Sequence, residues 1–442
     1  MSFPKYQAYK DSDVEWIGEI PTSWTVANVK SGYDVTLGKM LLSQDDELEN
    51  YIKCPYLRAA NVQDGFLNLD DLKEMYSSKF EQTSLSLKAE DVLVCEGGDV
   101  GRSTIIKEDL EGIGFQNSLN RVRAHTNTNS TYFFYFLNFV KSSGYLEIIC
   151  NKSTISHYTR EKLCQTPFLY PTLKEQKAIA IFLDRECTKI DAIIEEQERL
   201  IILLQEKRQA VISHAVTKGL EPNVPMKESG IEWIGEVPQT YRIIRLSLLF
   251  NIISSGTTPT TDNENFYDGN IAWVTTGELK EKGISKTTKN ITELAFSHFP
   301  ALRLYPPNTL LIAMYGATIG RLGWLEVAAA TNQACCALAD SRQVEMKFIF
   351  YTLLAAKQSL VLLSSGGGQP NINQDKIRSF KVPVPSLAEQ KQIILHLDKS
   401  TSEIDDLINH ANQNAALLKE RRYALISAAV TGKIDVRKLV TP

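Results

Sequence analysis

The chain has 442 residues, of which 43% are hydrophobic and 23% charged, an ordinary globular composition with chain enough for several buried cores. Its 48 lysines and arginines face 52 aspartates and glutamates, a formal net charge of −4. That balance excludes a polycation binding nucleic acid by bulk charge, though not a reader with a local basic patch. No apolar run approaches the roughly 18 residues of a membrane helix. Residues 1–16 lack the basic-then-apolar layout of a secretory leader. Seven cysteines never fall as C-x-x-C, so neither a zinc site nor a disulfide frame is expected, and the location expected is cytoplasmic.

In chain order, the first marked motif is Glu15-Trp16-Ile17-Gly18-Glu19-Ile20-Pro21. Strands are expected at 55–59 and 91–94, and a short helix at 132–140. Pro171 then precedes Thr172-x-x-Glu175, a capping box in which the hydroxyl accepts from an orphan N–H while the glutamate reaches back. No glycine or proline follows until Gly219, so a helix of about 46 residues, roughly 70 Å long, is expected. Its apolar seam includes Leu183, Cys187, Ile190, Ile194 and Leu204, broken by Arg208.

The motif then recurs, 217 positions on, as Glu232-Trp233-Ile234-Gly235-Glu236-Val237-Pro238. Strands are expected at 271–275, 308–312 and 380–384, and a helix at 346–356. Pro385-Ser386-Leu387-Ala388-Glu389-Gln390-Lys391 answers Pro171-Thr172-Leu173-Lys174-Glu175-Gln176-Lys177 at an offset of 214, and opens a second long helix whose seam is broken at Arg422. Two long matches in one order mean a tandem duplication. The segments are therefore 1–171 (opening motif and first insert), 172–218 (long helix), 219–241 (linker with the repeated motif), 242–385 (second insert), 386–434 (second long helix) and 435–442 (tail). The frame repeats, but the inserts share little beyond scattered punctuation. The fold class expected is mixed α/β: two globular domains joined by two long antiparallel coiled-coil helices in a pseudo-two-fold repeat. A further apolar stripe with Ile193, Leu200, Leu203, Leu407 and Leu417 is too wide for a helix pair to bury, so helices of a partner are expected on it, the alternative being that the globular domains fold back over it.

No catalytic motif is evident. Gly97–Ser103 has three residues between its glycines and an arginine where a P-loop needs lysine. Tyr305-Pro306-Pro307-Asn308 has the residue order of a base-binding methyltransferase turn reversed. The six histidines form no metal-ligand pattern.

These residues resemble the specificity subunit of type I restriction-modification enzymes. The resemblance rests on the E-W-I-G-E-[IV]-P motifs and the two helix starts. In the second insert it also rests on Trp273-Val274-Thr275-Thr276-Gly277, Asn332-Gln333-Ala334 and Gly367-Gly368-Gln369-Pro370-Asn371-Ile372-Asn373. The first insert departs at the comparable places, with Arg58-Ala59-Ala60-Asn61, Gln116-Asn117 and Ser156-His157-Tyr158. The resemblance implies a non-catalytic reader of double-stranded DNA, with two target-recognition domains each reading half of a split site. The helices set the spacing and dock two modification (methyltransferase) subunits, and restriction (nuclease-translocase) subunits join. S-adenosylmethionine, ATP and magnesium belong on those partners, and this chain binds no cofactor. The alternative is a coiled-coil adaptor that binds proteins only.

Phosphates are held by Arg, Lys, hydroxyl and backbone N–H groups, while Arg, Asn and Gln read base edges. On that chemistry the DNA-binding candidates in the first insert are Arg102, Ser103, Arg121, Arg123, Lys152, Ser153, Thr154, His157 and Tyr158. In the second they are Thr257, Thr258, Thr275, Tyr315, Arg321, Ser365, Gln369, Asn371 and Asn373. Residues 242–384 carry 14 basic and 10 acidic side chains but residues 25–170 carry 15 and 19, so the first insert needs a local patch or a partner's charge to attract phosphate.

Overall fold

A computed structural model describes residues 3–42, 51–150, 157–364 and 371–440. Two long helices, Leu173–Lys218 and Leu387–Val430, run through it. The chain forms two compact units, Met1–Glu198 with Gln413–Pro442, and Arg199–Asn412. Each long helix therefore contributes its first part to one unit and its last part to the other. No helix among the described residues is long and apolar enough to cross a membrane.

The helix starts use their motif in a way that the capping-box pattern does not anticipate. Thr172 and Ser386 do accept, from the N–H groups of Glu175 (3.4 Å) and Glu389 (3.2 Å). The glutamates do not reach back. Glu175 accepts from the Tyr6 hydroxyl at 2.6 Å, and Glu389 from the Tyr241 hydroxyl at 2.8 Å. A buried tyrosine hydroxyl needs an acceptor, and the carboxylate offers a stronger one than the exposed helix end offers donors.

The next residue does the joining. Gln176 donates to the Pro171 carbonyl (2.9 Å) and accepts from the N–H of Asn129 (3.0 Å), the residue that caps the helix Ser130–Ser142. Gln390 donates to the Pro385 carbonyl (3.0 Å) and accepts from the N–H of Glu345 (2.9 Å), at the cap of the helix Met346–Ala355. Both glutamines are buried. One turn further along the insert helices, the Tyr135 hydroxyl donates to Asp184 at 2.8 Å and the Tyr351 hydroxyl to Asp398 at 2.7 Å. Burial pushes the Asp184 carboxyl above its ordinary value. Each insert helix is thus bound end and middle to the start of a long helix.

Both helix ends are set by a left-handed glycine, Gly219 (φ +78°) and Gly432 (φ +73°). The second helix, expected to reach 434, ends at Val430 for that reason. A side chain on Gly219 would strike Tyr241, and one on Gly432 would strike Pro21 and crowd Trp24, the position that answers Tyr241 in the repeat. The repeated E-W-I-G-E motif is the turn of a hairpin, Tyr9–Asp11 with Glu19–Pro21 and Met226–Glu228 with Glu236–Pro238.

The inserts prove to be one fold. In the first, an antiparallel sheet has the order Tyr33–Leu37, Leu119–Ala124, Val92–Cys95, Ser103–Ile105. In the second the order is Ile252–Ser255, Cys335–Ala339, Leu310–Ala313, Leu322–Leu325, with Gly283–Ile284 added at the edge. Each also has a small sheet with one parallel pair, Gly114–Phe115 beside Tyr51–Leu57, and Ala329–Thr331 beside Tyr267–Val274. A strand needs only an apolar face and permissive turns, so the same order survives loss of sequence likeness.

Core positions repeat as well. Ile426, Ala429 and Val430 are buried in the first unit, and Ile212, Ala215 and Val216, each 214 positions earlier, are buried in the second. Arg422 pairs with Asp191 (2.8 Å) in one unit, and Arg208 with Asp405 (2.8 Å) in the other. A fragment of residues 1–226 keeps most of the first unit and carries Arg208, Ile212, Ala215 and Val216, so a second copy can supply what residues 413–432 supply. The fragment is predicted to self-associate. Sedimentation across micromolar concentrations checks this, and a folded, strictly monomeric fragment contradicts it.

Candidate nucleic-acid interface

At matching ends of the two sheets, four loops form the same backbone cradle. The Gln116 N–H donates to the Leu57 carbonyl and the Asn332 N–H to Val274; the Gln116 carbonyl then accepts from Leu119 and the Asn332 carbonyl from Cys335. The Glu96 N–H donates to Ser118 and the Met314 N–H to Ala334, while the Tyr158 N–H donates to Glu96 and the Ile372 N–H to Met314. Gly38 and Gly256 close the cradle. A Cβ there would lie 2.2 Å from the Gln116 carbonyl oxygen and 1.8 Å from that of Thr331, so only glycine fits. Four backbone bonds and one close approach in each cradle therefore match by role, although the side chains differ.

The structure takes several candidates of the first insert out of reach of a ligand. Arg121 is buried and donates to the Ser84 (3.0 Å) and Ser86 (2.7 Å) carbonyls and the Thr36 hydroxyl (3.0 Å). Arg123 holds the buried Asp91 through two nitrogens, at 2.7 and 2.6 Å. Ser103 is buried in its strand, and Tyr158 is buried with its hydroxyl 2.7 Å from that of Thr166. These four were expected to face DNA. Arg121, Arg123 and Tyr158 bond within the fold and Ser103 is buried; along the strands, alternation turns every second residue inward whatever its chemistry. Arg102 lies in the hairpin turn between two antiparallel strands and donates to the Ala59 carbonyl at 2.8 Å. His157 is exposed beside Gly97. Lys152, Ser153 and Thr154 lie outside the described residues.

In the second insert Thr257, Thr258, Tyr315, Asn371 and Asn373 gather around the cradle. The Thr257 carbonyl accepts from the Trp273 indole at 3.2 Å, the Thr258 hydroxyl bonds Gln333, and Tyr315 bridges to Asn371. Asn373 accepts from the Lys376 N–H (2.9 Å) as a helix cap, and the Thr275 N–H donates to Glu278 (2.8 Å) within a capping box. The last two therefore have local roles. Arg321 is exposed, and its side chain has no bond among the described residues. Ser365 and Gln369 lie outside them.

The amides Gln116, Asn117, Asn332 and Gln333 were not singled out from sequence as contacts, although an amide pair directly before a strand in both inserts was a usable signal. On the long helices Ile193, Leu200, Leu203, Leu407 and Leu417 are all exposed, Leu417 at 61%. The seven cysteines are free. Burial pushes the Cys187 thiol up to about 11 and the Cys336 thiol up to about 12, which keeps them protonated packing groups. Among the described residues no cluster of His, Cys, Asp and Glu could hold a metal ion.

The family of type I restriction modification DNA specificity domains matches residues 21–201 and again residues 238–417, one match to each half of the duplication. The chain belongs to that family. It is 24% identical over 461 residues to the type I restriction enzyme MjaVIII specificity subunit of Methanocaldococcus jannaschii, with 98% of each chain covered. It is 21% identical over 440 residues to the EcoKI specificity subunit of Escherichia coli K12, covering 95% of this chain and 91% of that one. Among solved structures, a chain from work on complex assembly and conformational transition of the type I R-M system matches with a TM-score of 0.74 at 14% identity, over 93% of this chain and 99% of that one. The HsdS subunit from Thermoanaerobacter tengcongensis matches at 0.52 and 15% identity, over 93% and 98%.

As a type I specificity subunit the chain recognises DNA and is not itself the enzyme. Its partners are DNA and other restriction-modification subunits. Placement separates the arginines of such a reader into two kinds. Arg121→Ala is predicted to cost about 2 kcal/mol or more and to lower the melting temperature, since it leaves two carbonyls without their donor. Arg321→Ala is predicted to leave melting unchanged, to weaken DNA binding by the assembled complex evenly over sequences, and to reduce the log–log salt slope by about one. Thermal melts and salt-dependent binding check the pair, and interchanged effects contradict the assignment.

Proposed function

We propose that each unit reads one half of a split double-stranded DNA site, and that the two long helices pair antiparallel as a coiled coil about a pseudo-two-fold axis. The single observation that carries this reading is the cradle built twice with the same backbone bonds and different side chains. One frame with two sets of reading groups suits two different half-sites. The buried seams support the coiled coil: Leu183, Cys187, Ile190 and Ile194 on one helix and Leu397, Thr401, Ile404 and Ala411 on the other are buried, each set within its own unit. So do the two equivalent ion pairs, in which the higher-numbered residue of one helix meets the lower-numbered residue of the other. Helix length then sets the gap between half-sites.

The exposed leucines and Ile193 are the docking face for two modification subunits, which bring S-adenosylmethionine and carry out methyl transfer. Restriction subunits, with ATP and magnesium, complete the nuclease-translocase. Large apolar side chains left exposed together on a helix mark an interaction site.

Leu203→Glu with Leu417→Glu is predicted to release the modification subunits on a sizing column while melting of the chain stays within a few degrees. The same complex should lose methyl transfer to DNA, which the unaltered complex performs and neither component performs alone. Unchanged stoichiometry contradicts the docking face. Turnover by the purified chain contradicts the non-catalytic role.

A further inference from the structure

We infer that the amide pairs Gln116–Asn117 and Asn332–Gln333 are specificity-determining residues that read base edges, the first pair in one half-site and the second in the other. The inference rests on the proposed reading of one half-site by each unit, and adds which groups do it. Backbone bonding makes the two pairs equivalent position by position, with Gln116 matching Asn332 and Asn117 matching Gln333. Each pair sits in the last loop before a central strand, Leu119–Ala124 or Cys335–Ala339, and is held at the cradle by Gly38 or Gly256. The backbone there is tied to its neighbours by the Gln116 and Asn332 N–H groups and closed on itself by the Leu119 and Cys335 N–H groups. The side chains are left over.

Gln116 and Asn117 are half-buried, and neither side-chain amide has a bond among the described residues. Gln333 is exposed, with only its oxygen engaged, by the Thr258 hydroxyl. The Asn332 oxygen accepts from the Ala334 N–H at 3.2 Å, which fixes the group and leaves its nitrogen outward-bonding. A carboxamide has a donor and an acceptor side by side, the pattern that matches adenine N6 and N7 in the major groove. Around the cradle the matched positions differ: Lys39 against Thr257, Glu96 against Met314, His157 against Asn371. The amides are the chemistry that the two readers share.

Two arginines of the first insert strengthen the assignment. Arg121 is taken up by three backbone or hydroxyl oxygens, and Arg123 by Asp91 and the Ser86 carbonyl. Both are committed to bonds within the fold, whereas the amides beside them are not.

The test uses the full chain assembled with its modification subunits and a DNA library that varies one base pair at a time across both half-sites. Asn117→Ala and Gln116→Ala should relax the preference at one or two adjacent positions of a single half-site by about 10-fold or more, with the other half-site and the salt slope unchanged. Gln333→Ala should do the same in the other half-site only. Asn117→Gln keeps the amide and displaces it by one methylene, so it should alter the preferred base at the same position rather than flatten it. Wild-type base preference in all four variants overturns the inference, and so does uniform weakening over all sequences, which marks a phosphate contact or a structural role. An unaltered complex that selects no split site would instead refute the half-site reading beneath it.

Discussion

Gln176 and Gln390 each join a long helix to the cap of an insert helix with the two ends of a single buried amide. The donor end satisfies the carbonyl of the proline that starts the long helix, and the acceptor end satisfies the N–H at the insert helix's cap. Both partners are helix-terminal groups that have no intrahelical bond to make; the bond to the proline carbonyl is buried and the bond from the N–H half-buried. Removing either amide would leave a buried carbonyl unmatched, worth about 1–3 kcal/mol. The rest follows from that junction. It fixes the insert helix against the long helix, the Tyr135–Asp184 and Tyr351–Asp398 bonds fix its rotation, and the sheet packs on the aromatic face of that helix.

The frame was legible in the sequence because its signals are local. A proline, a hydroxyl three residues before a glutamate, and the next glycine some 46 residues on define a long helix without tertiary information. The use of the glutamate was not legible. Tyr6 and Tyr241 lie at unrelated places in the two copies, and only folding brings each hydroxyl to its carboxylate. The common fold of the inserts was equally hidden, since strand order depends on pairing between segments far apart in sequence. The requirement for glycine at Gly38 and Gly256 was hidden too, since only the fold brings the facing carbonyl oxygens against them.

The candidate contacts show the same division. Residue chemistry alone favoured Arg121, Arg123 and Ser103, whereas the fold uses both arginines for internal bonds and buries the serine. Sequence gave no means of telling an arginine that completes a core from one that meets a phosphate, because both need the same donors. The loops around the cradle are different. Their backbone is satisfied by neighbouring strands, so their side chains can vary without loss of the fold. A protein that keeps one frame and changes such loops can alter what it reads at little cost in stability.

On the proposed reading, a duplicated frame presents two different readers to one DNA molecule. Sequencing of modified bases in DNA from cells that express this chain with its modification subunit decides whether it does. N6-methyladenine is expected within a motif of two defined parts, unlike in sequence and separated by a spacer of fixed length and free composition. An uninterrupted motif, or two parts whose spacing varies from site to site, would contradict it.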